Sequence, residues 1–212
     1  NGGLFSDIDI EIPSFSEELV RLILDEASLG FNWSEISPTI FGAVFEATLN
    51  PITRRSGGMH YTSISNIHKV INPLFLDDIR QEFEEIKKRP KSDSWRTKYL
   101  KAFQEKLANM KFLDPACGSG NFLTETNLSL RRLENSVIRE LNDEIMAGQL
   151  RLAVDTQALQ NIKVSIMQFY GIEINDFAVT VAKTALWIAE SQMLEQTCLL
   201  YTSDAADDLI GV

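Results

Sequence analysis

Residues Phe112–Leu123 read FLDPACGSGNFL, and the fold of the chain turns on that stretch. Lys111-Phe112-Leu113-Asp114 is a short apolar run that ends in a carboxylate. Pro115-Ala116-Cys117-Gly118-Ser119-Gly120 then makes a tight turn, and a helical pattern begins at Asn121. Strand, glycine turn and helix form the first half of a βαβ unit. Such a turn gathers backbone N–H groups and one carboxylate at the carboxyl end of a strand, where open α/β sheets bind ligands. A dinucleotide fingerprint needs a third glycine where Leu123 stands, and the Gly-Lys-Ser/Thr of a phosphate loop is missing. An acid just before the turn repels a pyrophosphate and suits a cationic ligand; S-adenosylmethionine carries a sulfonium and an ammonium. Taken alone, the turn serves equally as a plain tight connection.

Outward from the turn, the pattern is helical upstream and alternating downstream. Ser14 and Glu17 have capping-box spacing, and Leu19, Leu22, Ile23 and Ala27 recur on one helical face. Ser37-Pro38 is a second start signal, followed by Phe41, Phe45 and Leu49 and ended by Asn50-Pro51. Arg54–Gly58 reads as a loop. Ser63 caps a helix with Ile64, Ile67 and Ile71 inward, and Asn72-Pro73 punctuates it. Asp77 opens another helix with Ile79, Phe83 and Ile86. A polar break at Arg89–Asp93 precedes a long helix whose inward positions are Trp95, Tyr99, Phe103, Leu107 and Met110. Beyond the turn, Leu128–Glu134 reads as a helix charged on its outside. Ile162–Ile166 and Phe169–Ile172 are strand candidates, and Asn175-Asp176 caps a helix through Ala178, Ala182, Ala185, Trp187 and Ile188.

Composition bounds the function classes. The 212 residues carry 20 Lys+Arg against 30 Asp+Glu, with 44% hydrophobic and 24% charged residues, a globular balance. Two cysteines and two histidines, Cys117, Cys198, His60 and His68, supply neither a disulfide framework nor a structural zinc site. No apolar run has the length of a membrane helix and no leader is visible, so the sequence places the chain in a reduced, cytoplasmic setting. Charge is uneven: residues 1–50 net −8, residues 51–111 net +6 and residues 112–212 net −8. The basic middle, from Lys87 through Arg96 to Lys106, reads as wet helix faces rather than a phosphate-contacting strip. The overall acidity argues against non-specific nucleic-acid binding by this chain alone.

FLDPACGSGNFL resembles the cofactor-binding motif of amino-group DNA methyltransferases. FYGIEIN at Phe169–Asn175 and MHYTS at Met59–Ser63 resemble two further segments of that family, in the motif order of enzymes that methylate adenine at N6. More closely, FNWSEISPTIFGAVFE, HYTS, FLDPACGSGNFLTET and QFYGIEINDFAVTVAKTALWIAE are similar to the methyltransferase region of type IIG/IIL single-chain restriction–modification enzymes. The resemblance covers about residues 1–197. It implies an α/β fold, a truncated Rossmann-like class I S-adenosylmethionine-dependent methyltransferase preceded by a helical region. It assigns 1–35 to the end of a helical spacer and 36–110 to the helical part that includes HYTS. Residues 111–197 become the first half of the cofactor domain. After Glu195 the family-like pattern stops, and the string that follows resembles a translated sequencing adaptor, so 198–212 read as a non-native tail that packs on nothing.

Residue by residue, the resemblance puts Asp114, Ala116, Gly118 and Gly120 on the methionine side of S-adenosylmethionine, closed by Tyr61 and Thr62. Glu173, with Ile174 beside the adenine, accepts the ribose hydroxyls. Plainer roles exist for each: Asp114 capping its turn, Thr62 its helix, Glu173 an exposed strand end. The 53 positions from Gly120 to Glu173 exceed the roughly 20 of dinucleotide folds and imply a helical insertion around Arg131–Leu159. Cys117 is read as a small side chain facing the cofactor; a Cys117–His60 hydrolase dyad is the alternative. The family's catalytic Asn-Pro-Pro-aromatic segment is absent, because no Asn, Asp or Ser is followed by two prolines. The expectation is therefore an inactive cofactor-binding part whose parent engages double-stranded DNA. The competing classes are a non-catalytic interaction module and a methyltransferase acting on RNA or protein.

Overall fold

A computed structural model of the chain describes residues 14–30, 36–40, 42–43, 62–91, 95–146 and 162–207. Two compact units divide it, Asn1–Ser37 and Pro38–Val212. In the first, helix α1 (Glu17–Arg21) continues as a wider π-helical stretch over Leu22–Leu29. Its cap is Ser16 rather than the expected Ser14: the hydroxyl accepts from the Leu19 N–H at 3.2 Å. That choice leaves Glu17 and Glu18 in the first turn, where the helix dipole favours acids. Leu19, Leu22 and Ile23 are exposed.

In the second unit, helix α2 (Ile64–Ile71) is capped by Ser63 as expected and buries Ile67 and Ile71. Asn72-Pro73 does not end it. The helix widens into a π-helical turn over Asn72–Leu76 and runs on as α3 (Asp77–Lys87). Proline cannot donate the i→i−4 bond, and one wider turn absorbs the missing N–H without breaking the path. Helix α3 buries Ile79, Phe83 and Ile86. Helix α4 (Arg96–Asn109) buries Leu100, Phe103 and Leu107 with Arg96 and Gln104. Those five positions trace one stripe, and Trp95 and Tyr99 fall one residue off it. Both are therefore exposed, at 55% and 41%, instead of in the core, with Lys98 over the Trp95 ring and Arg89 over Tyr99. Arg96, expected on a wet face, is buried and paired with Glu140.

Strand β1 (Phe112–Asp114) and strand β2 (Phe169–Gly171) pair in parallel, Phe112 with Phe169, Leu113 with Tyr170 and Asp114 with Gly171. Alternation sends Phe112 and Phe169 to the core, where their rings stack at 5.3 Å and Phe75 meets Phe112 at 5.0 Å. Leu113 and Tyr170 stand on the opposite, exposed face. The strand expected at Ile162–Ile166 is absent. Ser165 and Gln168 form a capping box around a single 3-10 turn, Ile166–Gln168, that delivers the chain into β2. Gln168 also donates to the carbonyls of Leu107 and Met110 at 2.8 and 2.7 Å, fastening the end of α4 to the start of β2.

Helix α5 (Asn121–Met146) lies in the crossover between the strands and contacts both α4 and α6 (Asp176–Asp207). Asn175 caps α6, its side-chain oxygen accepting from the Ala178 N–H at 2.9 Å. Ala178, Ala182, Ala185 and Ala189 form the buried face of α6, and small residues let two helices approach closely. With neighbours on two sides, α5 has little outside. Ser129, Arg131 and Glu134, expected to face water, are buried. No described helix is long and apolar enough to cross a membrane.

Candidate functional site

The carboxyl ends of β1 and β2 are tied together beyond their last paired residues. The Ile172 N–H donates to the Asp114 carbonyl at 2.9 Å, and the Cys117 N–H to the Ile172 carbonyl at 3.0 Å. These bonds fold the glycine turn over the end of the sheet. Within it, Asp114 Oδ1 accepts from the Ala116 N–H at 3.0 Å. Gly118 has φ +53 and Gly120 has φ +76, a region costly for residues with a Cβ. The two glycines differ in surroundings. A Cβ on Gly120 would fall 2.7 Å from Ala182 Cβ on α6, whereas one on Gly118 would have nothing within 4 Å. Gly120 lets α6 approach, and the space over Gly118 is a cradle open to a ligand.

Glu173 stands across this cradle. Its Oε2 accepts from the Gly118 N–H at 2.9 Å, and its Oε1 from the Ile174 and Asn175 N–H groups at 2.8 and 2.9 Å. It is not an idle strand end. The 53 positions from Gly120 to Glu173 are spanned by α5 and its connections, and the link to the turn closes nonetheless. Ile174 is 93% exposed, an apolar side chain at the lip of the site. Asp114, Ala116, Gly118, Gly120, Glu173 and Ile174 thus come together. Thr62 is half-buried just before the Ser63 cap of α2, while Tyr61 and His60 lie outside the described residues.

Cys117 packs toward the sheet: its Sγ lies 2.6 Å from where a Cβ on Gly171 would fall. Burial pushes its thiol pKa up, and the negative charges of Asp114 and Glu173 push it further. A nucleophilic cysteine needs the opposite environment. Alkylation near pH 7 is accordingly expected to modify exposed Cys198 well before Cys117, a ranking that peptide mapping by mass spectrometry reads directly. The same two carboxylates make the mouth of the site electronegative.

Two residues here gave no usable sequence signal. A Cβ on Gly42 would fall 2.4 Å from Ser119 Oγ and 2.6 Å from Asn121 Oδ1, so Gly42 itself lies against the glycine turn. Asn121 Oδ1 is buried beside the turn with no hydrogen-bond partner, as is Thr124 Oγ1 about one turn further along α5.

Residues 83–206 match the family described as MmeI, DNA-methyltransferase domain. DNA methyltransferase A of Bacillus subtilis (strain 168) is 43% identical over 196 residues, which are 92% of this chain and 20% of that protein. A putative type II restriction enzyme and methyltransferase of Methanocaldococcus jannaschii is 25% identical over 234 aligned positions, covering 94% of this chain and 19% of that protein. Among solved structures, the type IIL restriction–modification enzyme MmeI in complex with DNA matches with a TM-score of 0.74 and 38% identity, over 92% of this chain and 24% of that one. The chain therefore spans about a fifth of the length of the curated relatives it matches. Both the family match and helix α6 continue past residue 197, to residue 206 and to Asp207.

Proposed function

Because the chain belongs to the MmeI DNA-methyltransferase domain family, we propose that it is the S-adenosylmethionine-binding part of a restriction–modification methyltransferase acting on adenine N6. Residues 111–197 supply the first half of a Rossmann-like cofactor domain, and residues 36–110 the helical part that precedes it. The observation that carries this reading is the bond between Gly118 and Glu173. It brings an acid at the end of the second strand against an open, positive-φ glycine at the end of the first. Motif order, HYTS ahead of the glycine turn, supports adenine N6 as the target.

The residues present fit the cofactor. The carboxylates of Asp114 and Glu173 suit a ligand bearing a sulfonium and an ammonium, and the open face of Gly118 admits close backbone approach. Glu173 already holds three N–H groups, which leaves one ordinary acceptor site on Oε2. Receiving both ribose hydroxyls requires it to release the Gly118 N–H, which then faces the ligand. Ile174 offers an apolar surface at the lip for the adenine. When bound, S-adenosylmethionine supplies an electrophilic methyl group. Flipping the target base and accepting from its amine are tasks of the Asn-Pro-Pro-aromatic segment, which these 212 residues do not contain. Double-stranded DNA is the proposed partner of the parent protein.

Calorimetric titration tests the proposal. The folded chain is expected to bind S-adenosylmethionine, with Asp114→Ala and Glu173→Ala each weakening it about tenfold or more, the worth of a hydrogen bond to a charged group. It is expected to transfer no labelled methyl group to DNA. A folded chain that ignores the cofactor would favour a non-catalytic interaction module instead.

A further inference from the structure

Residues 87–101 carry seven basic residues and one acidic, in a chain whose formal charge is −10. Two of the seven are answered within the fold: Lys87 pairs with Glu84, and buried Arg96 with Glu140. The other five, Lys88, Arg89, Lys91, Lys98 and Lys101, are exposed. Two aromatic rings stand among them. Trp95 and Tyr99, four positions apart at the start of α4, lie on one side of the helix. Lys98 Nζ sits 4.5 Å from the centre of the Trp95 ring, and the Arg89 guanidinium 4.2 Å from that of Tyr99. The second contact brings the residues that follow α3 against α4, so Arg89 and Lys98 belong to one patch.

Solvation alone accounts for the charges but not for the exposed rings, which forgo the gain of burial. What the rings contribute is orientation. A ring holds a cation over its face without cancelling its charge, as a carboxylate partner would. The patch is thus a set of positive charges, two of them held in place, and its complement is a run of negative charges such as nucleic-acid phosphates. The ring faces decide the kind of nucleic acid. Stacking the bases of a single strand needs open aromatic faces, and here a cation stands over each ring. Phosphates of a duplex backbone suit the patch better. The acidity of the rest of the chain does not oppose this. At about 0.1 M salt, charges are screened beyond roughly 10 Å, so the cations at the point of contact outweigh acids carried elsewhere.

We propose that the Arg89–Tyr99 and Lys98–Trp95 pairs form a contact surface for the sugar–phosphate backbone of duplex DNA, which they hold without reading its sequence. The inference deepens the DNA partnership proposed above by giving it a place on this chain.

Fluorescence anisotropy of a labelled DNA duplex of arbitrary sequence, mixed with the full chain over a range of salt, tests it. The chain is expected to bind at low salt, with log affinity falling linearly in log salt. Lys98→Glu and Arg89→Glu should each weaken binding about tenfold and reduce that slope by about one. Lys183→Glu, at an exposed position of α6, changes the net charge equally and should weaken binding less than about twofold. Should Lys98→Glu fail to fold in a thermal melt, Lys98→Gln removes the charge without reversing it and should show the same change at smaller size. Equal weakening by Lys183→Glu, a wild-type chain that ignores the duplex at low salt, or a single strand bound more tightly than the duplex each overturns the inference. Titrating S-adenosylmethionine into the same samples keeps the two readings apart. Cofactor binding without duplex binding removes this inference alone, and duplex binding without cofactor binding removes the cofactor reading alone.

Discussion

Replacing Arg131 with methionine is expected to lower the unfolding free energy by about 3–5 kcal/mol, the usual consequence of removing one partner of a buried ion pair. Arg131 and Glu134 are both fully buried and pair across one turn of α5. Glu134 Oε1 also accepts from Gln104 Nε2 at 2.9 Å and from the Lys163 and Val164 N–H groups at 2.7 and 3.1 Å. One carboxylate thereby joins α4, α5 and the segment leading into β2. Arg131 extends the network to α6 through Thr197 Oγ1 at 3.3 Å and Glu190 at 4.0 Å. Without the guanidinium, two carboxylates remain inside with no cation between them. Urea denaturation should show the loss as a lower midpoint at unchanged slope.

The deficit should depend on pH, with a sign fixed by Glu190. Burial raises its carboxyl pKa and the nearby Glu134 adds to this; Arg131 and the neighbouring Asn127 oppose it without fully offsetting it. Neither polar atom of Asn127 makes a well-formed hydrogen bond, and Glu190 Oε2 makes none either, its ion pair with Arg131 standing at 4.0 Å. The folded state therefore holds the Glu190 proton more tightly than the unfolded chain does. Its penalty is absent below the ordinary carboxylate range and grows as pH rises through that range to the raised folded value. Arg131→Met deletes the main group holding that value down. The variant should consequently lose less stability near pH 5 than near pH 8, and a deficit that is flat with pH would remove Glu190 from the account.

This network marks the boundary of what the sequence discloses. Caps and turns are local chemistry, so Ser63, Asn175 and the turn at Gly118–Gly120 were legible from adjacent residues. Long-range burial is not local. Arg131 and Glu134 have the i,i+3 spacing of an ordinary surface pair, and only the approach of α6 and α4 turns it inward. Trp95 and Tyr99 illustrate the reverse error: their spacing fits a core face, but the stripe through Leu100, Phe103 and Leu107 lies one position away. At the site, Asp114, Glu173 and the glycines could be named because their motifs are short and contiguous. Gly42 and Asn121 could not, since their significance depends on partners distant in sequence.

The two glycines of the turn should respond in opposite ways. Gly120→Val is expected to destabilise the chain by about 2–5 kcal/mol. A β-branched residue at φ +76 costs about 1–2 kcal/mol, and its side chain must displace Ala182, for another 1–3 kcal/mol of overpacking. Because Ala182 lies on α6, the damage should spread as a cooperative loss of helix in thermal circular dichroism. Gly118→Ala meets no atom, so it should cost only about 1–2 kcal/mol of backbone strain and leave the chain folded. Its methyl group nevertheless occupies the cradle facing Glu173, and S-adenosylmethionine binding should fall by more than about tenfold. If Gly118→Ala binds the cofactor as the wild type does, the open space over Gly118 is not where the ligand lies. If Gly120→Val unfolds no sooner than Gly118→Ala, the contact with Ala182 is not what requires a glycine there.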